Sequence, residues 1–205
     1  MGPKERRERE REEIRGRILD AARELFATEG FEAVTMRRIA DRIEYSPTAI
    51  YFHFKDKETL LKELCSLDFH SLAQQFGSIA RIGDPIERLR RTGHAYIQFG
   101  IDHPNHYRLM FMTPHPPIED SEVDKGNPEE DAYAFLRAIV TDAHAQKLLR
   151  PELKDIDLIC QTVWAAVHGV VSLDVAKCND PWVDWRPMKK RAAAAVEAII
   201  HGIVR

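Results

Sequence analysis

Disulfide chemistry is the first thing this sequence lacks. Cys65, Cys160 and Cys178 are odd in number and show no CxxC spacing, which argues against a disulfide framework and a cysteine-rich zinc site and fits a reducing cytoplasm. A basic excess is also missing: the formal net charge is -3, so any affinity for nucleic acid must come from where the charges sit. The longest apolar run, LICQTVWAAVHGVVSL at residues 158 to 173, is interrupted by Gln161, Thr162 and His168 and is short for a membrane span. The opening MGPKERRERERE has no apolar core of a secretory signal, so no membrane partner is expected. There is no Gly-rich phosphate loop, nucleophile elbow or HExxH. Cys160 with His168, or a histidine and carboxylate pair, can be drawn as catalytic, but a packed thiol and a core histidine are the preferred reading, and no enzyme is expected. Sustained period-two alternation is absent, which excludes a substantial sheet.

What is present is helical pattern along a chain of 205 residues, 44% hydrophobic, enough for a substantial core. Ile14, Ile18, Ala21, Ala22, Leu25 and Phe26 fall at the three-and-four spacing of a helix with one buried stripe, and Gly30 ends it. Thr35 is placed to cap a second short helix that turns Met36, Ile39 and Ala40 inward and Arg37, Arg38 and Arg42 outward. After a turn at Ile43 to Tyr45, Ser46-Pro47 opens a third helix, and Asp56 caps a longer fourth with Leu60, Leu61, Leu64 and Leu67 as its apolar seam. Asp84-Pro85-Ile86-Glu87 and Asn127-Pro128-Glu129-Glu130 each read as a helix start with a capping box. Residues 113 to 128, proline-rich and acidic, read as an exposed, mobile loop. A helix from about Pro151 to Ala176 carries Trp164 and His168, and a last one carries Val196, Ile199, Ile200 and Ile203 on one side.

Two short helices joined by a tight turn, the second beginning Ser-Pro-Thr-Ala, have the layout of a helix-turn-helix. The run TMRRIADRIEYSPTAIYFHFKDKETLL, Thr35 to Leu61, resembles the DNA-binding signature of the TetR family of bacterial repressors through Ile39-Ala40, Ser46-Pro47, Tyr51-x-His53-Phe54 and Lys57-Glu58-x-Leu60. ILDAARELFATEGFEAVTM before it resembles that family's first helix. The resemblance implies an all-α fold: residues 1–60 as a three-helix DNA-binding domain and 61–205 as a larger helical domain for ligand binding and dimerisation. It places DNA contacts on Thr35, Arg37, Arg38, Ser46, Pro47, Thr48, Ala49, Tyr51, His53 and Lys57. Thr48 and Ala49 would face base edges, while Tyr51, His53 and Lys57 would meet phosphates. Phe52 and Phe54 would lock the short helix in place, the competing reading being that Tyr51, Phe52 and Phe54 are all plain core. Glu44 stands where the family has glycine in the turn, and a left-handed non-glycine residue costs about 1 to 2 kcal/mol. Residues 1–60 hold thirteen Lys+Arg against thirteen Asp+Glu, with KERRERERE contributing alternating signs.

Further along, HPNHYRLMF at residues 103 to 111 and VWAAVHGVVSL at residues 163 to 173 resemble a C-terminal domain class of such regulators named for its Trp and His-Gly, WHG. That likeness implies a homodimer through the helices around Trp164 and Ile199. It also implies a small-molecule effector site with Phe69, His94, Tyr96, Phe99, Tyr107, Met110, Phe111, Trp164 and His168 as candidate lining. Aromatic residues at helical spacing are also what a plain core contains. His70, His94 and His168 with Asp68 would supply a metal's imidazole and carboxylate ligands, against ordinary core or capping histidines; no obligatory cofactor is expected. The functional expectation is a cytoplasmic repressor that binds a palindromic double-stranded DNA operator as a dimer and releases it when the effector binds. The alternative is a helical small-molecule or metal sensor, or adaptor, without specific DNA binding.

Overall fold

Side-chain caps set most of the helix starts in the computed structural model, which describes residues 2–116, 124–178 and 180–205. Helix α1 spans Pro3–Glu29 and stops where Gly30 takes φ 87°, a left-handed backbone that glycine adopts without cost. Helix α2, Met36–Arg42, is capped by Thr35, whose hydroxyl accepts from the Arg38 N–H at 3.1 Å. Ser46 does the same for α3, Pro47–His53, through the Ala49 N–H. Asp56 caps α4, Lys57–Phe76, by accepting from the Thr59 N–H and hydroxyl at 2.8 and 2.6 Å. A 3₁₀ turn at Ile79–Arg81 leads to α5, Pro85–Asp102, with Asp84 as its cap. Then come α6 (Pro104–Phe111), α7 (Ala132–Ala145), α8 (Ile156–Lys177) and α9 (Met188–Ile203). Among the described residues there is no strand, only an isolated bridge between Leu149 and Val204, so the all-α expectation holds.

Several boundaries differ from the sequence reading, each for a local reason. Asn127 does not open α7. Its side chain closes a short turn on the Glu129 N–H, and Asp131, which accepts from both the Tyr133 and Ala134 N–H groups, caps the helix instead. Likewise Asp155, not the region of Pro151, starts α8. At Asp84 half of the expected box forms, because Glu87 turns to Arg90 and Arg91 rather than back to the cap. Of the loop expected at 113 to 128, residues 117–123 lie outside the described residues.

The chain forms two compact units. The first comprises residues 2–68 and 105–116. Ile18, Ala22, Leu25 and Phe26 of α1, Ile39 and Ala40 of α2, Ile50 of α3 and Leu60, Leu61 and Leu64 of α4 are buried in it. The seam of α4 continues through Asp68, 1% exposed, rather than the expected Leu67, 46% exposed. Asp68 is a buried charge and is satisfied as one: Arg23 Nη2 donates to Oδ1 at 2.9 Å and Nε to both oxygens at 3.1 and 3.2 Å, while His106 Nδ1 of α6 lies 3.0 Å from Oδ1. Burial, with Asp68 nearby, pushes the Cys65 thiol up to about 12.

The second unit comprises residues 69–104 and 124–205. Its helices α5, α7, α8 and α9 pack together around Ile97, Ile139, Val163, Val167, Val196 and Ile200. At Gly93 a β-carbon would come within 3.2 Å of Val196 and 3.6 Å of Val167, so glycine sets the close approach of α5 to α8 and α9. Arg90 of α5 ties to Glu197 of α9 at 2.6 Å, and Arg88 to Asp142 of α7. By length and composition α8 could cross a membrane. In this unit Ile159, Cys160, Val163, Val167 and Val171 form its core face, whereas Leu158, Trp164 and Leu173 remain exposed.

Candidate functional site

The turn between α2 and α3 is tight because Glu44 takes φ 60° and the Tyr45 N–H closes on the Ala40 carbonyl at 3.0 Å. The left-handed position expected of a family glycine is therefore kept by a glutamate. Arg17 braces the same turn from α1, donating to the Ile43 carbonyl at 3.1 Å and lying over the Tyr45 ring. Helix α3 is held by Ile50, fully buried, and by Phe54 just beyond it, 2% exposed with the Arg15 guanidinium 4.6 Å over its ring.

With those two anchors inward, the opposite face of α3 is open. Thr48 is exposed, Pro47 and Ala49 are half-buried, and Tyr51 is 55% exposed. Phe52 departs from expectation. It is not a lock in the core but 72% exposed, with Arg11 of α1 at 5.5 Å over its ring and His53 edge-on at 5.6 Å. His53 is half-buried, and its Nδ1 finds no hydrogen-bond partner among the described residues. Burial, reinforced by the positive charges of Arg11 and Arg15, holds its pKa below the ordinary value, so it is neutral near pH 7.

On α2, Arg37 and Arg38 are exposed, Thr35 is occupied as the cap, and Ser46 is occupied in the same way at α3. Arg38 is paired with Glu29 at 2.9 Å, which raises its pKa. Lys57 is more constrained than its sequence position suggests. Its ammonium donates to the Phe31 carbonyl at 2.8 Å and sits 4.1 Å over the Phe31 ring, so one of its three donors is already used to hold the α1–α2 connection.

In the second unit the structure brings together three of the candidate effector residues. The Tyr96 hydroxyl on α5 accepts from Trp164 Nε1 at 3.0 Å and lies 3.3 Å from His168 Nδ1. Trp164 and His168 are four residues apart on α8 and so share a face, and Tyr133 of α7 adds a ring 6.2 Å from Trp164 that the sequence reading missed. Burial lowers the His168 pKa, favouring a neutral imidazole whose Nδ1 accepts from Tyr96. Phe99 is buried on α5 with its ring 5.2 Å from His103, Phe69 is half-buried, and His94 is exposed. Tyr107, Met110 and Phe111 belong to the first unit, where Tyr107 is fully buried with its ring 4.9 Å from Phe111.

The metal candidates are engaged otherwise: Asp68 by Arg23 and His106, His70 by Gln74 at 2.9 Å, His168 by Tyr96. Among the described residues no group of three or more His, Cys, Asp or Glu is placed to hold a metal ion. For Cys160, burial pushes the thiol up to about 11, away from the thiolate that a nucleophile needs.

Two family models match this chain. The one described as "Bacterial regulatory proteins, tetR family" covers residues 18–64, the second half of α1 through the first turns of α4, and "Tetracyclin repressor-like, C-terminal domain" covers residues 89–184. The HTH-type transcriptional regulator UidR of Escherichia coli is 37% identical over 78 residues, 38% of this chain and 37% of its own length. The HTH-type transcriptional activator FasR of Mycolicibacterium smegmatis is 35% identical over 103 residues, 49% of this chain and 47% of FasR. The chain thus matches less than half the length of either relative. A TetR family transcription regulator from Marinobacter aquaeolei VT8 superposes with a TM-score of 0.75 over 97% of this chain and 98% of that one, at 21% identity. The ketosteroid transcriptional regulator KstR2 of Mycobacterium tuberculosis gives 0.72 over 94% and 95%, at 20% identity. At such identities the likeness speaks for the fold. With residues 18–64 and 89–184, together more than half of the chain, matched by models of the same family, the chain belongs to the tetR family of bacterial regulatory proteins.

Proposed function

We propose that this protein is a cytoplasmic transcriptional regulator, a repressor that binds a palindromic double-stranded DNA operator as a homodimer and leaves it when a small molecule binds. The observation that carries this reading is the split of α3 into two faces. Ile50 and Phe54 fasten it, while Thr48 and Tyr51 are exposed, Ala49 is half-exposed, and Arg37 of α2 is exposed as well. That is the geometry of a helix placed to enter a major groove, with Thr48 and Ala49 at base edges and Tyr51 at a phosphate. One such head reads a half-site, and a two-fold pair reads a palindrome. The exposed apolar residues of α8, Leu158, Trp164 and Leu173, support a second copy docking along that helix.

For the effector, the support is the Tyr96–Trp164–His168 node, an aromatic set with polar tips converging on one hydroxyl. Trp164 and His168-Gly169 on α8 also support assigning the C-terminal region to the WHG class. Helix α4 contributes Lys57–Asp68 to one unit and the rest to the other, and an effector that favours a different setting of α4 in the dimer would weaken operator binding.

The equal counts of acids and bases in residues 1–60 favour one competing reading, a sensor or adaptor without specific DNA binding. Titration onto the DNA upstream of its own gene and onto a scrambled duplex of equal length, at several salt concentrations, separates the two. Tight binding to one duplex, lost in Tyr51→Ala with helicity intact, is expected of the regulator. Equal weak binding to both duplexes and to a random-sequence pool would refute it.

A further inference from the structure

The charge-alternating start of α1 becomes ordered once it is wound into a helix. Lys4, Arg7, Arg11 and Arg15 stand three, four and four residues apart, so they form one column on α1. Arg6 and Glu10 pair with each other elsewhere on the helix, and Glu5 accepts from the Gly2 N–H. The column is anchored at its inner end: Arg15 pairs with Glu63 of α4 and covers Phe54, and Arg11 covers Phe52. Both contacts fall at the end of α3, so the column starts beside the proposed reading helix and runs outward from it. Further out, Lys4 and Arg7 are exposed and, like Arg11, make no ion pair with described residues. Lys4 and Arg7 therefore hold no part of the fold together, and Arg11 touches only the exposed Phe52.

We infer that the column of Lys4, Arg7 and Arg11 is a second DNA contact, which follows the phosphate backbone outside the half-site read by α3. This rests on the operator-binding reading above. From Lys4 to Arg15 the column is about 16 Å long, against roughly 3.4 Å of axial rise per phosphate on one strand. It can therefore meet more than one phosphate. Such contacts add affinity and salt dependence and leave base preference alone. The column gathers cations within a first unit that has no net positive charge over residues 1–60; Glu8 borders it, and Lys4 and Arg7 form no ion pair with it among the described residues.

The test compares the full-length protein with the double variant K4Q/R7Q, whose replaced side chains touch nothing that supports the fold, on the operator duplex with its native flanks and on a scrambled duplex. The plot of log affinity against log salt should become shallower by about 0.9 for each phosphate contact removed, close to 4 units for two residues in both copies of a dimer. Hydroxyl-radical protection should retreat at the outer edges of the site, and the preference for operator over scrambled DNA should stay unchanged. An unaltered slope and footprint, with operator preference intact, would overturn the inference and leave the operator reading standing. A shallower slope on both duplexes with no preference for either would uphold the column as a phosphate contact and overturn the operator reading instead.

Discussion

Removing the carboxylate of Asp68 alone should damage this protein far more than removing it together with Arg23. Asp68 is 1% exposed, and the Arg23 side chain that grips it through Nη2 and Nε is 10% exposed. In Asp68→Leu the guanidinium keeps only its exposed partner Asp20 at 2.9 Å, and an arginine left buried without its main counter-charge costs about 3 to 5 kcal/mol. Against a typical total of roughly 5 to 15 kcal/mol, that loss removes at least a fifth of the stability and should move the urea midpoint well down. Replacing both partners, in R23M/D68L, fills the same space with apolar groups and should be neutral or stabilising by about 1 to 4 kcal/mol. His106 Nδ1, 3.0 Å from Asp68 Oδ1, loses that neighbour in the single and the double variant alike, so the difference between the two isolates Arg23. The assay is urea unfolding followed by far-UV circular dichroism. Trp164, Trp182 and Trp185 all lie in the second unit, so fluorescence would report the wrong half. A single variant as stable as the parent, or a double variant as damaged as the single, would refute the argument.

Four further outcomes follow from particular residues. Glu44→Gly should stabilise by about 0.5 to 1 kcal/mol, the left-handed strain relieved less the extra freedom of an unfolded glycine, as read from the urea midpoint. Tyr96→Phe should cost about 1 to 2 kcal/mol and shift the Trp164 indole N–H resonance, since the hydroxyl that receives it is gone; an unmoved resonance would contradict the contact. His168 and His53 both have pKa values lowered by burial, so they take up protons more readily unfolded. Stability should be fully present above about pH 6.5 and fall as the pH drops through and below it, and His168→Gln should make that acid-side loss smaller. Lys57→Ala should lower both thermal stability and DNA affinity, because it severs the Phe31 carbonyl contact, whereas Tyr51→Ala should lower affinity alone.

Much of this was legible in the sequence because helix ends are written locally. Thr35, Ser46, Asp56 and Asp84 each cap the helix they precede, and Gly30 stops α1. Where two cap residues compete within a few positions, local reading loses, as with Asn127 against Asp131. Long-range charge pairing was the other blind spot. Arg23 lies between the buried Ala22 and Leu25 of α1, and Asp68 lies four residues after Leu64 and four before Leu72 on α4. Each is a charge on an apolar stripe, which demands a buried partner, and the two satisfy each other. That signal was in the sequence, but Leu67 is the more obvious apolar choice. Phe52 was misread for a simpler reason: a seven-residue helix can bury only one narrow face, and Ile50 already occupies it. At the candidate effector site, aromatic spacing alone could not distinguish Tyr96, which joins Trp164 and His168 through its hydroxyl, from Tyr107, which is packed fully inside the other unit.

The sparse anchoring of α3 bears on how such a protein changes over evolutionary time. Because Ile50 and Phe54 carry the attachment while Thr48 and Tyr51 are exposed, new residues can be tried at those outward positions without first acquiring compensating changes elsewhere. Recognition in this chain is therefore free to drift between DNA sequences on an unaltered framework, and a gene duplicate could acquire a new target through substitutions confined to a few codons.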